Sequence, residues 1–330
     1  MIAAKRFLAF WVVLLLLTGL IFVGGCAPEE VIDEPVDEEP VDEEPVDEPI
    51  DMEIVVGSKE YSEQLILGQI AILALEYNGI PAVDETGLGG TMMVRQALEA
   101  GDVDLYWEYT GTGLIAILGF DEAITDPEEC YAVVKETDFE QNQVVWLDYT
   151  PFNNTYTIMM RKADADELGI ESISDLAAAI NEGVEAPEPG IWNLASDHEY
   201  TIRDDGYPGL QELYGFEFDE AFPMDAGIVY DALREGDVSV SMGFATDGRI
   251  AAYNLVNLED DLNFHPVYNC APTVRQETLE ALPQIADILN PIAQALDADS
   301  MAAMNMKVDI DGDLPAEVAE EWLREQGFIQ

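Results

Sequence analysis

The change of sequence pattern that decides the fold lies in the stretch Glu53-Ile54-Val55-Val56-Gly57-Ser58-Lys59-Glu60-Tyr61-Ser62-Glu63-Gln64. Its first five residues form a short apolar run, which is typical of a buried β-strand. From Ser62 onward the apolar residues recur at the three-and-four spacing of one helix face: Leu65, Ile66, Ile70, Leu73 and Ala74. This spacing predicts a helix over residues 63–78 that stops at Gly79. A strand followed directly by a helix is the repeating unit of an α/β protein.

The same alternation continues to the C-terminus. A second apolar strand is predicted at Val238-Ser239-Val240-Ser241-Met242, and further helices are predicted over residues 92–100, 174–181, 230–235, 278–296 and 316–326. Strands that alternate with helices favour a mostly parallel sheet. The chain has 330 residues, of which 48% are apolar, so it is long enough for about two domains with their own cores.

The charge balance is strongly acidic. The chain has 68 Asp and Glu residues against 13 Lys and Arg, a formal net charge of −55. Binding to phosphate backbones or anionic lipid requires a basic patch, so nucleic acid is excluded as a partner and an anionic membrane face is a poor one. Residues 27–51 carry 13 of the acids and no base, which leaves 55 acids and 11 bases on residues 52–330, a net charge of −44. The acidity therefore belongs to the body of the protein as well as to its tail.

Residues 1–26 have the pattern of a lipoprotein signal peptide. Lys5 and Arg6 form a short basic start, an apolar run covers residues 7–23, and the segment ends at Val23-Gly24-Gly25-Cys26. That ending resembles the lipobox of prokaryotic lipoproteins. The resemblance implies cleavage before Cys26, a lipid on its thiol, and a protein tethered to the outer face of the cytoplasmic membrane, extracellular or periplasmic. The alternative is an uncleaved membrane anchor, since the run is nearly long enough to span a bilayer; in both cases the remainder is exported.

Residues 27–51 form an acidic, proline-rich spacer. The unit Pro35-Val36-Asp37-Glu38-Glu39 recurs from Pro40 and, shortened, from Pro45 and Pro49. Dense like charge with regularly spaced proline cannot bury a core, so the segment is predicted to be disordered and extended. Metal binding is the alternative role for so many carboxylates, but nothing would fix them in a coordination geometry.

The sequence contains no recognisable catalytic or cofactor motif. There are two histidines, His198 and His265, with no nucleophile elbow, no phosphate-binding loop and no Cys/His cluster with metal-ligand spacing. The stretch Gly87-Leu88-Gly89-Gly90-Thr91 lacks both the dinucleotide spacing and the Lys-Ser/Thr ending of a P-loop, so we interpret it as a tight turn into the next helix. We expect neither an enzyme nor a bound cofactor or metal ion.

Aromatic residues stand beside turn-type motifs at several places, and six such motifs occur in a characteristic order. They are Val56-Gly57-Ser58-Lys59-Glu60-Tyr61-Ser62-Glu63-Gln64, Leu88-Gly89-Gly90-Thr91, Tyr109-Thr110-Gly111-Thr112-Gly113, Phe152-Asn153-Asn154-Thr155-Tyr156, Arg203-Asp204-Asp205-Gly206-Tyr207 and Thr246-Asp247-Gly248-Arg249-Ile250. The chain resembles, over residues 52–330, the glycine betaine/choline-binding proteins of osmoprotectant ABC transporters, the ProX/OpuAC type.

The resemblance implies a type II periplasmic-binding-protein fold, in which two α/β lobes are joined by two hinge strands and the ligand is trapped between them. It implies lobe 1 from residues 52–150 plus 266–330, and lobe 2 from residues 151–265. Residues 143–149 and 262–267 are extended-type segments that flank the middle block, as crossing strands should.

The resemblance also implies a ligand with a quaternary ammonium group and a carboxylate. A trimethylammonium group has no N–H to donate, so it is held by the negative faces of aromatic rings, each contact contributing roughly 0.5–2 kcal/mol. The cage positions of the family fall on Tyr109, Tyr156, Phe244 and Tyr268, where Phe244 departs from the usual tyrosine and lacks its hydroxyl. Asn154 matches a small polar residue whose oxygen faces the methyl groups.

The carboxylate of such a ligand needs charged or polar donors. The matching positions are Lys59, Thr112 and Arg203, in a chain with only five lysines and eight arginines. Related binders restricted to choline tend to have an acid where this chain has Thr112, so the threonine favours betaine-like zwitterions.

Each of these assignments has an ordinary structural alternative. Lys59 would otherwise be a surface lysine after a strand, and Arg203 a salt-bridge partner for nearby acids. Tyr109 and Tyr156 would otherwise be half-buried tyrosines, and Phe244 a core residue.

Two further pairs are expected to be structural. Asp247 and Arg249 are predicted to form a turn pair that does not contact ligand. Cys130 and Cys270 remain once Cys26 is assigned to the lipid, and an even pair in an exported protein predicts a disulfide. The alternative is two separate buried thiols.

The function that the resemblance implies is a monomeric, membrane-tethered receptor that captures glycine betaine or a related compatible solute and delivers it to an ABC permease. A choline- or carnitine-preferring binder of the same fold is the first alternative. A periplasmic enzyme on this fold and a purely structural or adhesive lipoprotein are the others. The charge of −44 on the body predicts a cell that lives in high salt, where surface repulsion is screened.

Overall fold

The structure is a computed structural model that describes residues 52–330. The predicted signal peptide, the predicted lipidation site Cys26 and the predicted spacer lie outside the described residues. None of the helices within residues 52–330 is long and apolar enough to cross a membrane.

The first sheet has five strands in the order β2-β1-β3-β10-β4. The strands are β1 Ile54–Gly57, β2 Ala82–Glu85, β3 Leu105–Tyr109, β4 Val144–Trp146 and β10 Cys270–Arg275. β1 pairs in parallel with β2 and β3, whereas β10 runs antiparallel to both β3 and β4. Its helices are α1 Ser62–Tyr77, α2 Thr91–Ala100, α3 Thr110–Thr112, α4 Pro127–Asn142, α10 Gln276–Ala281, α11 Gln284–Ala295, α12 Ala298–Met306 and α13 Pro315–Gln326. Two short π-helical turns, Gly113–Ile117 and Lys307–Asp311, continue α3 and α12.

The second sheet has the order β7-β6-β8-β5-β9. Its strands are β5 Tyr156–Arg161, β6 Asn193–Ser196, β7 Glu220–Pro223, β8 Val240–Phe244 and β9 Leu255–Asn257. β6 pairs in parallel with β7 and β8, and β5 runs antiparallel to β8 and β9. The helices between these strands are α5 Lys162–Leu168, α6 Ile173–Glu182, α7 Tyr207–Tyr214, α8 Val229–Glu235 and α9 Arg249–Ala252.

The chain passes between the two sheets twice, and each sheet has one antiparallel strand for that reason. β5 is the first strand after the first crossing and β10 the first after the second, so each enters its sheet against the direction of the parallel strands. The crossings run side by side: the Thr150 N–H donates to the Cys270 carbonyl at 2.7 Å, and the Asn154 N–H donates to the Tyr268 carbonyl at 3.1 Å. The mostly parallel sheet expected from the strand-helix alternation is therefore two mixed sheets, the two-lobe α/β architecture of the type II fold.

The crossings differ in position from the expected ones. Residues 143–149 include β4, which is an edge strand of the first sheet, and residues 262–267 contain no regular strand. The antiparallel contact between the crossings lies a few residues further along each, with a bridge between Asn153 and Asn269.

The core of the first lobe forms around α1. Ile66, Ile70 and Leu75 are fully buried, and the helix begins and ends within one residue of the predicted span. The predicted helix over residues 278–296 is instead α10 and α11, separated at Leu282 and Pro283. Leu282 lies outside the helical region, at φ −132° and ψ 73°, because a following proline disfavours the helical conformation of the residue before it.

The predicted disulfide is wrong: Cys130 and Cys270 are both free, buried thiols in the described part of the chain. Cys130 lies on α4, where it packs as a small apolar side chain, and Cys270 is the first residue of β10, paired opposite Tyr109. Burial raises the pKa of Cys130 to about 11, so its unreactive thiol form predominates near neutral pH.

Candidate ligand-binding site

A cavity of about 350 Å³ lies between the two sheets, beside the crossings. It falls in the size range of small-molecule sites, about 300–1,000 Å³. All eight residues predicted from the sequence line it: Lys59, Tyr109, Thr112, Asn154, Tyr156, Arg203, Phe244 and Tyr268. The structure therefore brings together side chains that are up to about 200 residues apart in the sequence.

Strand ends place the aromatic rings. Tyr109 is the last residue of β3 and Phe244 the last of β8, so both lie at the carboxyl edge of a sheet, where ligands of open α/β sheets bind. Tyr156 is the first residue of the antiparallel β5, and the register sets it directly opposite Phe244. Tyr268 is supplied by the second crossing.

The rings lie close enough to form a cage. The Tyr156 ring centroid is 5.5 Å from that of Phe244 and 5.3 Å from that of Tyr268, the latter edge-on at 80°. Tyr61, which sequence reasoning missed, stacks on Phe244 at 5.2 Å and 10° and also lines the cavity. The sequence could have indicated Tyr61 as a cavity residue, because Tyr61 belongs to the first of the six motifs. Phe244 is half-buried between Tyr61 and Tyr156, so it is a wall of the cavity as well as part of the packing.

Lys59 is buried and ion-paired, so it is not a surface lysine. Its Nζ lies 2.6 Å from Glu108 Oε1, and the side chain of Glu108 is fully buried. The Tyr106 hydroxyl donates to the other Glu108 oxygen at 3.1 Å. The Lys59 ammonium also lies 5.1 Å from the centroid of the Tyr109 ring. Sequence reasoning missed Glu108, the partner that neutralises this lysine inside the protein.

Arg203 is likewise paired with acids. Its Nε and Nη2 donate to the two oxygens of Asp205 at 2.7 and 2.5 Å, and its Nη1 donates to Glu199 at 3.2 Å. Its Nη2 also lies 3.4 Å from the Thr112 hydroxyl, and its guanidinium carbon 5.7 Å from the Tyr156 ring centroid. The salt-bridge alternative for Arg203 is thus present in the structure, at a residue that also lines the cavity.

Glu199 connects the second lobe to the start of α2. Its two oxygens accept from the Thr91 N–H at 2.5 Å and from the Thr91 hydroxyl at 2.8 Å. A side chain at Gly90 would collide with the Glu199 carboxylate, so the glycine is required for this close approach. Burial acts to raise the pKa of Glu199, but the charges of Lys59 and Arg203 and the Thr91 hydrogen bonds outweigh it, and the pKa lies below its usual value.

A second cavity of about 160 Å³ lies behind the Tyr61 and Phe244 rings. Its wall includes Glu63, a carboxylate that is only 3% exposed. Burial raises the pKa of Glu63 above its usual value, although hydrogen bonds from four neighbouring residues act against that rise. Sequence reasoning did not single out Glu63, because one acid among 68 gives no compositional signal.

Two other assignments can be placed. The Asn154 side-chain oxygen accepts from the Thr246 N–H at 3.3 Å, so it is engaged within the protein. Arg249 donates from Nε and Nη2 to the two Asp247 oxygens at 2.9 and 2.6 Å, which is the turn pair expected from the sequence. Among residues 52–330 no group of three or more His, Cys, Asp or Glu side chains is arranged to hold a metal ion.

Two mixed α/β sheets joined by two crossings, with an aromatic cavity between them, define the class of two-lobe substrate-binding proteins. The family model for the substrate-binding domain of ABC-type glycine betaine transport systems, OpuAC, matches residues 52–325. The chain belongs to this family.

Individual relatives agree with the family model. A "Glycine-betaine-binding protein" of Pseudomonas aeruginosa is 42% identical over 277 residues, 83% of this chain and 88% of the relative. The "Glycine betaine-binding protein YehZ" of Escherichia coli is 33% identical over 285 residues, 84% of this chain and 92% of the relative. A solved structure entitled "Crystal structure of glycine betaine/carnitine/choline ABC transporter" matches with a TM-score of 0.68 at 29% identity, covering 84% of this chain and 99% of that one.

Proposed function

We propose that this protein captures glycine betaine, or a related quaternary ammonium solute, in the cavity between its lobes and delivers it to an ABC permease. The observation that carries the proposal is the group of aromatic rings that meet around one cavity in a member of a glycine betaine-binding family. A permanent cation without an N–H is bound by such rings and by little else in a protein. The cage is formed by the rings of Tyr109, Tyr156, Phe244 and Tyr268, and it is extended by the ring of Tyr61.

Lobe 1 comprises residues 52–150 and 266–330, and lobe 2 comprises residues 151–265. This division is supported by the strands, because every strand of the first sheet falls in the first set and every strand of the second sheet in the other. The two crossings are the hinge, and ligand favours closure by contacting both lobes at once.

Lys59, Thr112 and Arg203 bind the carboxylate of the ligand. Because Lys59 and Arg203 already have acidic partners, the ligand carboxylate adds to existing ion pairs instead of neutralising free charges. Of the runner-up functions, this partial compensation supports a binder that prefers choline, which has no carboxylate, and it does not favour carnitine, which has one. Binding occurs without chemical change of the solute.

Cys26 carries the lipid that tethers the monomeric receptor to the outer face of the cytoplasmic membrane, and residues 27–51 hold the lobes away from it. The lipobox-like ending and the acidic repeats support this arrangement. The acid excess of the body supports a life in high salt.

Calorimetry on the wild type with glycine betaine, proline betaine, carnitine and choline tests the proposal. We expect binding of at least one of them, and a loss of about 10- to 100-fold in affinity in Tyr156→Ala, equivalent to roughly 1.4–2.8 kcal/mol. Tyr77→Ala is the matched control, because Tyr77 is 49% exposed at the C-terminal end of α1 and is not among the residues that line the cavity. No binding of any of the four compounds would overturn the proposal, and their turnover by the pure protein would favour an enzyme.

A further inference from the structure

The Glu63 carboxylate accepts hydrogen bonds from four separate segments of the chain. One oxygen accepts from the Tyr109 hydroxyl and from the Asn154 side-chain amide, both at 2.7 Å. The other accepts from the Thr246 hydroxyl at 2.5 Å and from the Asn305 side-chain amide at 2.8 Å. These donors belong respectively to β3, the first crossing, the turn after β8, and α12.

The arrangement fits an ionised carboxylate. Each oxygen receives one amide N–H, which can only donate, and one hydroxyl, which is placed to donate as well, so all four acceptor positions of the anion have a donor that offsets the cost of its burial. Glu63 also lies in the first turn of α1, where the helix dipole favours a negative charge. A buried anion that is fully hydrogen-bonded is held rigidly, because each lost partner would leave a charge without compensation.

Two of the four donors are cage or cavity residues. Tyr109 and Asn154 both line the ligand cavity, whereas Glu63 lines the smaller cavity on the other side of the same wall. Glu63 therefore does not line the ligand cavity itself. It contacts Tyr109 and Asn154, which do, and it affects a ligand through them. Because the Tyr109 hydroxyl donates a hydrogen bond to Glu63, the ring of Tyr109 also becomes more electron-rich, which strengthens its attraction for a cation.

We infer that Glu63 is the positioning residue of this site: it fixes Tyr109 and Asn154 in the cavity wall and supplies a negative charge behind them that selects ligands with a cationic head group. This inference rests on the proposed function. It assigns the preference for a cation to a buried acid as well as to the aromatic rings.

The test compares glycine betaine with 3,3-dimethylbutanoate, in which carbon replaces the quaternary nitrogen while the shape and the carboxylate are kept. Affinities are measured for wild type, Glu63→Gln, Glu63→Asp and the control Glu76→Gln, which removes an exposed acid from the same helix. We expect Glu63→Gln to lower the affinity for glycine betaine about tenfold and that for the isostere less than about threefold. Glu63→Asp keeps the charge and should keep the wild-type ratio of the two affinities within about threefold, and Glu76→Gln should change neither.

Equal losses for both compounds would show that Glu63 only supports the packing, and would overturn the inference. A wild type that binds no quaternary ammonium compound would instead overturn the proposed function, so the two failures are distinct.

If the isostere binds too weakly to measure, a double-mutant cycle of Glu63→Gln with Tyr109→Phe tests the inference. The Phe ring remains in this background, but its hydrogen bond to Glu63 is gone. We expect the loss caused by Glu63→Gln to be at least about threefold smaller in the Tyr109→Phe background; independent effects would overturn the inference. Where Glu63→Gln does not fold, Tyr109→Phe is measured with both compounds, because it keeps the ring and removes its hydrogen bond to Glu63. An equal loss for glycine betaine and the isostere would then overturn the inference.

Discussion

The acidic side chains around the ligand cavity are held in different ways, and the differences decide which of them respond to pH. Glu199 and Asp205 both have pKa values below the usual range, because nearby cations and hydrogen bonds outweigh the effect of burial. Asp197 lines the same cavity but has no direct cationic partner. Burial, reinforced by the charge of Glu199, raises the pKa of Asp197 to about 6, even though Arg203 acts in the opposite direction.

We therefore predict that Asp197 gives the ligand affinity a pH dependence. As the pH rises through the raised pKa of this group, its carboxyl loses a proton and becomes an anion beside the cavity, so a cationic ligand gains attraction. We expect the affinity for choline, whose charge does not titrate near this pH, to rise about three- to tenfold between pH 5 and pH 7. Titration calorimetry at four pH values measures the change.

Two variants isolate the group responsible. Asp197→Asn should remove the dependence, whereas His198→Gln, which changes the neighbouring side chain of the same wall, should leave it in place. An affinity in the wild type that is flat over this range would contradict the prediction.

At the residue scale the sequence could identify the side chains that face the cavity but not those that hold them. Six of the eight predicted residues lie in the quoted motifs, and Phe244 and Tyr268 lie outside them, at positions matched to the same family. All eight line one cavity. Their partners come from distant segments: Glu108 is 49 residues from Lys59, and Glu63 is 183 residues from Thr246. With 68 acids in the chain, no local pattern marks the few that are buried. The disulfide expectation failed for a related reason, since the number of cysteines says nothing about where their side chains pack.

At the scale of elements, local patterns predicted helices well where one face is apolar and less well where proline or topology intervenes. The helices predicted to begin at residues 92 and 316 begin one residue earlier, whereas the long helix over residues 278–296 is broken at Pro283. The crossings also lie at other residues than predicted. An extended segment has the same sequence pattern whether it is an edge strand such as β4 or a link between sheets. Antiparallel insertion of β5 and β10 follows from the path of the chain and not from any property of their residues.

The start of α2 gives a prediction at this scale. Glu199 of the second lobe binds the Thr91 N–H and hydroxyl in the first turn of α2, and this contact joins elements of the two sheets. Glu199→Gln keeps the size of the side chain but removes its charge, and we expect it to weaken the closed arrangement by about 1–2 kcal/mol. The measurable result is a loss of about 5- to 30-fold in affinity for every ligand that binds, with a more open ligand-free form in small-angle X-ray scattering.

Glu212→Gln provides the control, because it removes an exposed acid from α7 of the same lobe. It should leave both the affinity and the scattering unchanged. An affinity for all ligands that is the same in Glu199→Gln as in the wild type would show that the contact does not contribute to closure.

At the scale of the whole molecule the dominant quantity is the net charge of −44 on residues 52–330. Many of the 55 acids lie on the surface of a two-lobe body with only 11 bases. Lys59, Arg95 and Arg203 are committed to buried ion pairs, and other bases, such as Lys307 and Arg324, pair with acids at the surface. Acids outnumber bases five to one on this body, so the repulsion among surface acids is mostly uncompensated. The Debye length is about 10 Å at 0.1 M salt and about 3 Å at 1 M, so added salt removes most of this repulsion.

We accordingly expect the free energy of unfolding to rise with salt concentration, in contrast to a protein stabilised by surface ion pairs, which salt weakens. Between 0.1 M and 2 M NaCl the thermal midpoint should rise by about 5–10 °C, which corresponds to roughly 3–6 kcal/mol for a folded chain of this size. A parallel series in sucrose at matched water activity separates the screening of charge from the general exclusion of solutes. A midpoint that is the same in dilute buffer and in 2 M NaCl, or that rises equally in sucrose, would mean that the acidic surface is not what salt acts on, and the proposal of a high-salt habitat would lose its physical basis.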